Sequence, residues 1–198
     1  MTTPRFKSHF NTTEFLENNW QKTPILLPNI LDFPDPLTPE ELAGLACEEV
    51  IESRMVLGRE NWTLSHGPFK ESDFTGLESK VWTLLVQGSD YFLNELKDLR
   101  NLFRFLPQWR LEDIMISYAT AGGGVGPHFD YYDVFLVQGS GQRRWRVGKK
   151  SNNSSVCSKS SLMLLTDFVT EKEFLLNAGD VLYIPPQYSH WGTAETNS

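Results

Sequence analysis

A mainly β chain with flanking helices is the fold class this sequence predicts, and three observations predict it. From residue 107 onward, short apolar runs (LEDIMISYAT, FDYYDVFLVQG, QRRWRVG, VLYIPP) alternate with glycine, serine and proline turns, the punctuation of strands. Before that point, two segments near 38–53 and 89–103 repeat apolar residues close to the helical period of about 3.6. No internal repeat or linker composition divides the 198 residues. One domain over 1–198 is therefore expected, a mixed α/β part over about 1–106 and a β core over about 107–198.

In residues 1–37, Pro24, Pro28, Pro34 and Pro36 punctuate extended pieces, with PILLPN a brief buried strand. Thr38-Pro39-Glu40-Glu41 is a helix start: Thr38 caps, Pro39 suits the first helical position and Glu41 completes a capping box. Leu42, Leu45, Ala46 and Val50 follow at helical spacing, carrying the helix to near Ser53. MVLGRENWTLSHGPF reads as a hairpin and VWTLLVQG as a further strand. Ser89-Asp90 opens a second helix through Phe92, Leu96, Leu99 and Phe103, stopped by Pro107. The runs on either side of Ser140-Gly141 read as an antiparallel hairpin. SNNSSVCSKSS is a polar surface loop, LMLLT and EFLLN are further apolar strand or helix pieces, and Asn177–Asp180 turns the chain into VLYIPP.

Composition narrows the function. A net charge of -7 argues against a direct nucleic-acid binder held by phosphate contacts and favours a basic partner. Cys47 and Cys157 form no paired motif, which fits a reducing compartment. No signal-peptide core and no apolar run of about 20 residues is present, so a cytoplasmic protein without a membrane span is expected.

The chemistry concentrates in GGGVGPHFDYYDVFLVQGSGQRRWR. On a strand, residues i and i+2 share a face, so His128 and Asp130 can aim at one point. His190, after Pro185-Pro186, supplies a third donor. Two histidines and a carboxylate with open opposite positions form the facial triad of non-haem Fe(II) oxygenases. The competing reading makes His128 a hydrogen-bonding residue beside a glycine turn and His190 an exposed strand-end histidine. Asp133, at an odd offset from Asp130, is expected on the other face. Arg144 and Arg146 form an exposed basic face, while Arg143 shares the face of Trp145. If that face looks inward, its guanidinium needs an anion, and a dicarboxylate matches its fork. Tyr118, Tyr131 and Tyr132, with Asp133, are candidates for the substrate side. His9 and His66 have no ligand partners at usable spacing. The glycine run lacks the Gly-Lys-Ser/Thr of a phosphate loop, and no nucleophile elbow occurs.

These segments, GGGVGPHFDYYDVFLVQGSGQRRWRVG with GDVLYIPPQYSH and WQKTPILLPN, resemble the cupin-type JmjC 2-oxoglutarate oxygenases. They are most similar to the bacterial ribosomal oxygenases that hydroxylate an arginine of a large-subunit ribosomal protein. The resemblance implies a double-stranded β-helix (jelly roll) with Fe(II) on His128, Asp130 and His190. It also implies 2-oxoglutarate as cosubstrate, its distal carboxylate on Arg143, and a basic ribosomal protein as substrate. Family members continue beyond the distal histidine with another core strand, a helical dimerisation region that makes the full-length form a homodimer, and a winged-helix domain. Here eight residues follow His190, so the last core strand and those regions are expected to be lacking. Two other classes remain open: a cupin-like binding module with a vacant site, and an iron- or manganese-dependent small-molecule dioxygenase. An inward Arg143 would favour the 2-oxoglutarate reading over the latter.

Overall fold

The computed structural model describes residues 3–59, 61–152, 162 and 164–198, and the backbone of 156–157. Its elements run β1 (Arg5–Phe6), α1 (Thr12–Asn18), β2 (Ile25–Leu27), β3 (Leu31–Asp32), α2 (Pro39–Leu45), β4 (Ser53–Leu57), β5 (Thr63–His66) and β6 (Trp82–Val86). They continue with α3 (Asn94–Leu102), β7 (Ile116–Ala119), β8 (Val134–Val137), β9 (Arg143–Lys150), β10 (Val156–Cys157), β11 (Leu164–Leu165), β12 (Lys172–Leu176), β13 (Val181–Ile184) and β14 (Tyr188–Ala194). The mainly β character with flanking helices is as the sequence predicts.

Two antiparallel sheets, ordered β12-β9-β14 and β2-β13-β8, carry the core. Leu182 and Ile184 of β13, with Leu136 of β8, pack against Trp145 and Val147 of β9 and Leu176 of β12. Fully burying such a side chain contributes about 1.5–3 kcal/mol, so this layer holds the sheets face to face. On the outer side of β13, Val181 packs with Leu96, Leu99 and Phe103, the helical stripe of α3 and its end. A third sheet, β5-β4-β6-β7, receives α2 through Leu42 and Ala46 on Met55, Leu84 and Val86. Both β2–β13 and β6–β7 pairings join the two halves of the chain.

The capping box at Thr38 forms in full, with reciprocal bonds between Thr38 and Glu41. The helix, however, ends at Leu45 rather than near Ser53, where β4 already begins, and Val50 is exposed. Gly44 weakens the last turn, and Glu48 and Glu49 would place negative charge at the unfavourable end of the helix dipole. The second helix starts later than expected: Ser89–Tyr91 is a 3-10 turn, α3 begins at Asn94, and Phe92 is exposed. Asp90 is not a helix cap. It is buried, accepts the Ile114 amide and pairs with Arg100 at 2.8 Å.

The hairpin expected about Ser140-Gly141 does not form. β8 pairs with β13, and β9 pairs with β12 and β14, so this turn carries the chain from one sheet to the other. Asp35 holds the turn by accepting the Ser140 amide. Strand structure in LEDIMISYAT is confined to Ile116–Ala119, and FDYYDVFLVQG becomes a strand only at Val134. LMLLT and EFLLN contribute β11 and β12. Most of the polar loop at 151–161 lies outside the described residues; within it, Val156–Cys157 pairs with Leu164–Leu165. Strand structure does not stop at His190. β14 runs on to Ala194, and Ser198 exchanges both backbone hydrogen bonds with Ala119 of β7. No helix among the described residues is long and apolar enough to cross a membrane.

Candidate metal centre

The glycine run lies antiparallel to β14. Gly122 N donates to Ala194 O, Ala194 N to Gly123 O, and His128 and His190 exchange backbone bonds of 3.0 and 2.8 Å. A side chain at Gly124 would meet the Gly192 carbonyl at 2.2 Å, so only glycine lets the two segments come this close. His128 and His190 form an isolated bridge. Cross-strand partners project to the same side, and the two imidazoles stand with ring centroids 4.4 Å apart.

This geometry corrects the strand argument for His128 and Asp130. Asp130 lies in irregular backbone just before a bend at Tyr131–Tyr132, not in a strand. Its carbonyl accepts the Gln187 amide at 2.6 Å, and this ties Asp130 to the turn between β13 and β14. The convergence therefore comes from the His128–His190 bridge together with that tie. Pro185 and Pro186 end β13 as expected, yet His190 is 2% exposed inside β14 rather than at a strand end. One donor atom from each of His128, Asp130 and His190 falls within 4.8 Å of the others, and this is the ligand-type cluster found among the described residues.

Both rings are oriented by backbone. His128 Nδ1 lies 2.9 Å from Gly126 O, and His190 Nδ1 lies 2.9 Å from Tyr188 O. A carbonyl only accepts, so each Nδ1 carries a proton, and in the neutral ring the lone pair then sits on Nε2. Burial, reinforced by the neighbouring His128, lowers the His190 pKa to about 3, and a neutral ring is the form that ligates metal. Two imidazole nitrogens and a carboxylate oxygen suit a divalent first-row cation.

Arg143 points inward, as its pairing with the Trp145 face predicts. In the register of β9 and β14, Val147 opposes His190 and Arg143 opposes Ala194. Val147 and Arg143 are an even number of residues apart, so guanidinium and metal donors share one face, separated by about 13 Å of strand. The guanidinium donates to Ser117 Oγ at 2.8 Å and Ser198 O at 2.9 Å. No side-chain carboxylate among the described residues pairs with it. Loss of water pushes its pKa down to about 10. A desolvated guanidinium without a side-chain carboxylate partner is matched to an external anion. Arg144 and Arg146, by contrast, pair with Glu173 and Glu195 on the outer face.

The four substrate-side candidates separate. Tyr131 and Tyr132 are exposed next to Asp130. The Tyr132 hydroxyl bonds to Asp130, and burial followed by that carboxylate's charge raises its pKa. Trp109, Arg110, Glu112, Tyr132 and Asp133 line a cleft of about 400 Å³. Asp133 accepts from Tyr183, Gln21 and Arg110, and strand alternation does not decide its side, because the backbone from Asp130 to Asp133 is not strand. Tyr118 is not brought to the site: it alternates with Ser117 on β7 and packs against Trp82 at 5.4 Å. His9 and His66 lie outside the donor cluster. Sequence reading missed Ser117, although a hydroxyl inside an otherwise apolar strand was its available signal. It also missed Arg110 and Trp109, which nothing local marks.

Comparison with known proteins gives one consistent result. The JmjC domain family matches residues 98–198. The Escherichia coli (strain K12) ribosomal protein uL16 3-hydroxylase is 44% identical over 190 residues, covering 95% of this chain and 50% of that protein. A crystal structure of E. coli ycfD superposes with a TM-score of 0.90 at 43% identity, covering 99% of this chain and 52% of that one. A structure of YcfD, a ribosomal oxygenase from E. coli, in complex with cobalt and 2-oxoglutarate superposes at 0.85 with 43% identity, covering 98% and 50%. The chain thus spans about half the length of the relatives it matches.

Proposed function

We propose, since the chain belongs to the JmjC domain family with its cupin fold, that it is the catalytic part of a 2-oxoglutarate- and Fe(II)-dependent protein hydroxylase. The observation that carries this is one inward face bearing both the His128, Asp130 and His190 donors and a desolvated Arg143 without a side-chain anion. The cobalt and 2-oxoglutarate named with the E. coli relative are the chemical match to these two features. An inward Arg143 favours a dicarboxylate cosubstrate over a dioxygenase that uses none.

In this reading His128, Asp130 and His190 hold the iron, and Arg143 with Ser117 holds the distal carboxylate of 2-oxoglutarate. When bound, the pair supplies the oxidation: 2-oxoglutarate and O2 become succinate and CO2 while one oxygen atom enters a substrate C–H bond. The chain's own residues position and enclose. Gly126 O and Tyr188 O hold the two Nδ1 protons and so select the tautomer whose lone pair is on Nε2, and Trp145, 5.8 Å from His190, forms an apolar wall beside it. Exclusion of water strengthens the Arg143–carboxylate pairing.

The substrate proposed is an arginine of a large-subunit ribosomal protein, which would place the enzyme in the cytoplasm. Support comes from the uL16 3-hydroxylase relative, the net charge of -7, and the aromatic and acidic groups Trp109, Glu112 and Tyr132 beside Asp130. The test is incubation of the natural full-length protein with the ribosomal protein, Fe(II) and 2-oxoglutarate, followed by mass spectrometry. A gain of about 16 Da on arginine, lost in Asp130→Ala because a metal ligand is removed, is expected. Succinate release with no modified protein would overturn the substrate assignment.

A further inference from the structure

The hairpin of β4 and β5 has a second task that its own sheet does not explain. Its tip carries Arg59 and Trp62 across to the glycine run. A side chain built at Gly122 would meet the Arg59 guanidinium at 2.8 Å, so the guanidinium lies flat on that glycine. At the other end of the run, the Trp62 ring edge would stand 3.2 Å from a side chain at Gly126, whose φ is +80°. Gly126 is the residue whose carbonyl accepts the proton of His128 Nδ1. Trp62 also meets Trp191 edge-on, with ring centroids 6.2 Å apart. Trp191 directly follows His190 and is held from its other sides by the Arg146 guanidinium at 5.1 Å and by Phe168 at 6.3 Å.

One indole thus touches the carbonyl-bearing residue that sets the His128 tautomer and the neighbour of His190. The first contact, made together with Leu164 Cδ2 at 3.0 Å from the same point, backs the Gly126 backbone, and a glycine at positive φ has no side chain of its own to hold it. The second presses on β14 next to the ligand. We propose that Trp62 is a positioning residue for both histidine donors, acting from behind the metal centre, with Arg59 steadying the far end of the glycine run. This inference rests on the metal reading above. It adds a residue distant in sequence that touches neither metal nor substrate.

The test is Co(II) binding to purified protein, followed by calorimetry and by the visible absorption of the bound ion. Wild type should take up one Co(II) and Asp130→Ala should not; failure of wild type to bind would overturn the metal reading itself. With that control in place, Trp62→Ala should bind Co(II) about 10- to 100-fold more weakly, the range for groups that orient ligands, and show an altered absorption band. Trp62→Phe, which restores an aromatic edge, should recover most of both. A merely structural role would lower the melting temperature while leaving cobalt affinity and spectrum unchanged. Wild-type cobalt affinity and spectrum in Trp62→Ala would overturn the inference alone. Should the alanine variant not fold, Trp62→Leu carries the same test, with wild-type binding again counting against it.

Discussion

Asp130 Oδ2 lies 3.4 Å from His190 Nε2, and the two are not an ion pair. The His190 Nδ1 proton is committed to Tyr188 O and burial keeps the ring neutral, so Nε2 presents a lone pair to a carboxylate oxygen. Two acceptors facing each other in a partly buried site repel unless a cation joins them. Adding Co(II) at about 100 times its dissociation constant should therefore stabilise the protein by about 2.7 kcal/mol. For a chain of this size that is a rise in melting temperature of roughly 5–10 °C, read by scanning calorimetry. In Asp130→Ala the rise should vanish; an equal rise there would place the ion elsewhere.

Arg143→Ala should separate the two halves of the site. Losing a charge-assisted contact in a desolvated pocket costs about 2–5 kcal/mol, so 2-oxoglutarate affinity should fall roughly 30- to several-thousand-fold. Cobalt affinity should stay close to wild type, because Arg143 lies along β9 from the donors. Titration of each variant with cosubstrate and with metal distinguishes these effects, and unchanged 2-oxoglutarate binding would remove Arg143 from the site.

Asp133 should matter for stability and not for metal. It joins the turn after α1, the Tyr183 hydroxyl on β13 and Arg110, which is stacked 4.8 Å from Trp109. Asp133→Ala leaves the buried end of Tyr183 without its acceptor, at a cost of about 1–3 kcal/mol. A lower urea midpoint with unaltered cobalt affinity is the expected result, and Asp133→Asn should recover part of the loss.

Tyr132 is 60% exposed, so Tyr132→Ala should leave the fold intact. Its place on the cleft with Trp109 and Glu112 predicts a raised KM for the protein substrate and an unchanged KM for 2-oxoglutarate. Equal KM values for the protein substrate in variant and wild type would take Tyr132 off the substrate side.

What was legible in the sequence was local or chemical. The start of α2 is written in Thr38, Pro39 and Glu41, because a capping box closes within four residues. The donor set is written in His128, Asp130 and His190, because few residue types ligate metal and their identities survive any fold. Pairing was not legible. A turn at Ser140-Gly141 suits a hairpin, yet Val134–Val137 gains more from lying beside β13, with Leu136 and Leu182 in one layer, than from folding back on β9. Likewise, His128 and Asp130 converge through a bridge to His190 and a tie to Gln187, not through strand alternation. Ser117 beneath Arg143 is marked only by a hydroxyl in an otherwise apolar strand, and Trp62 behind Gly126 carries no local mark. The reason is physical: capping and ligand chemistry depend on a few neighbouring atoms, whereas strand partners and supporting contacts are chosen by burial summed over the whole chain.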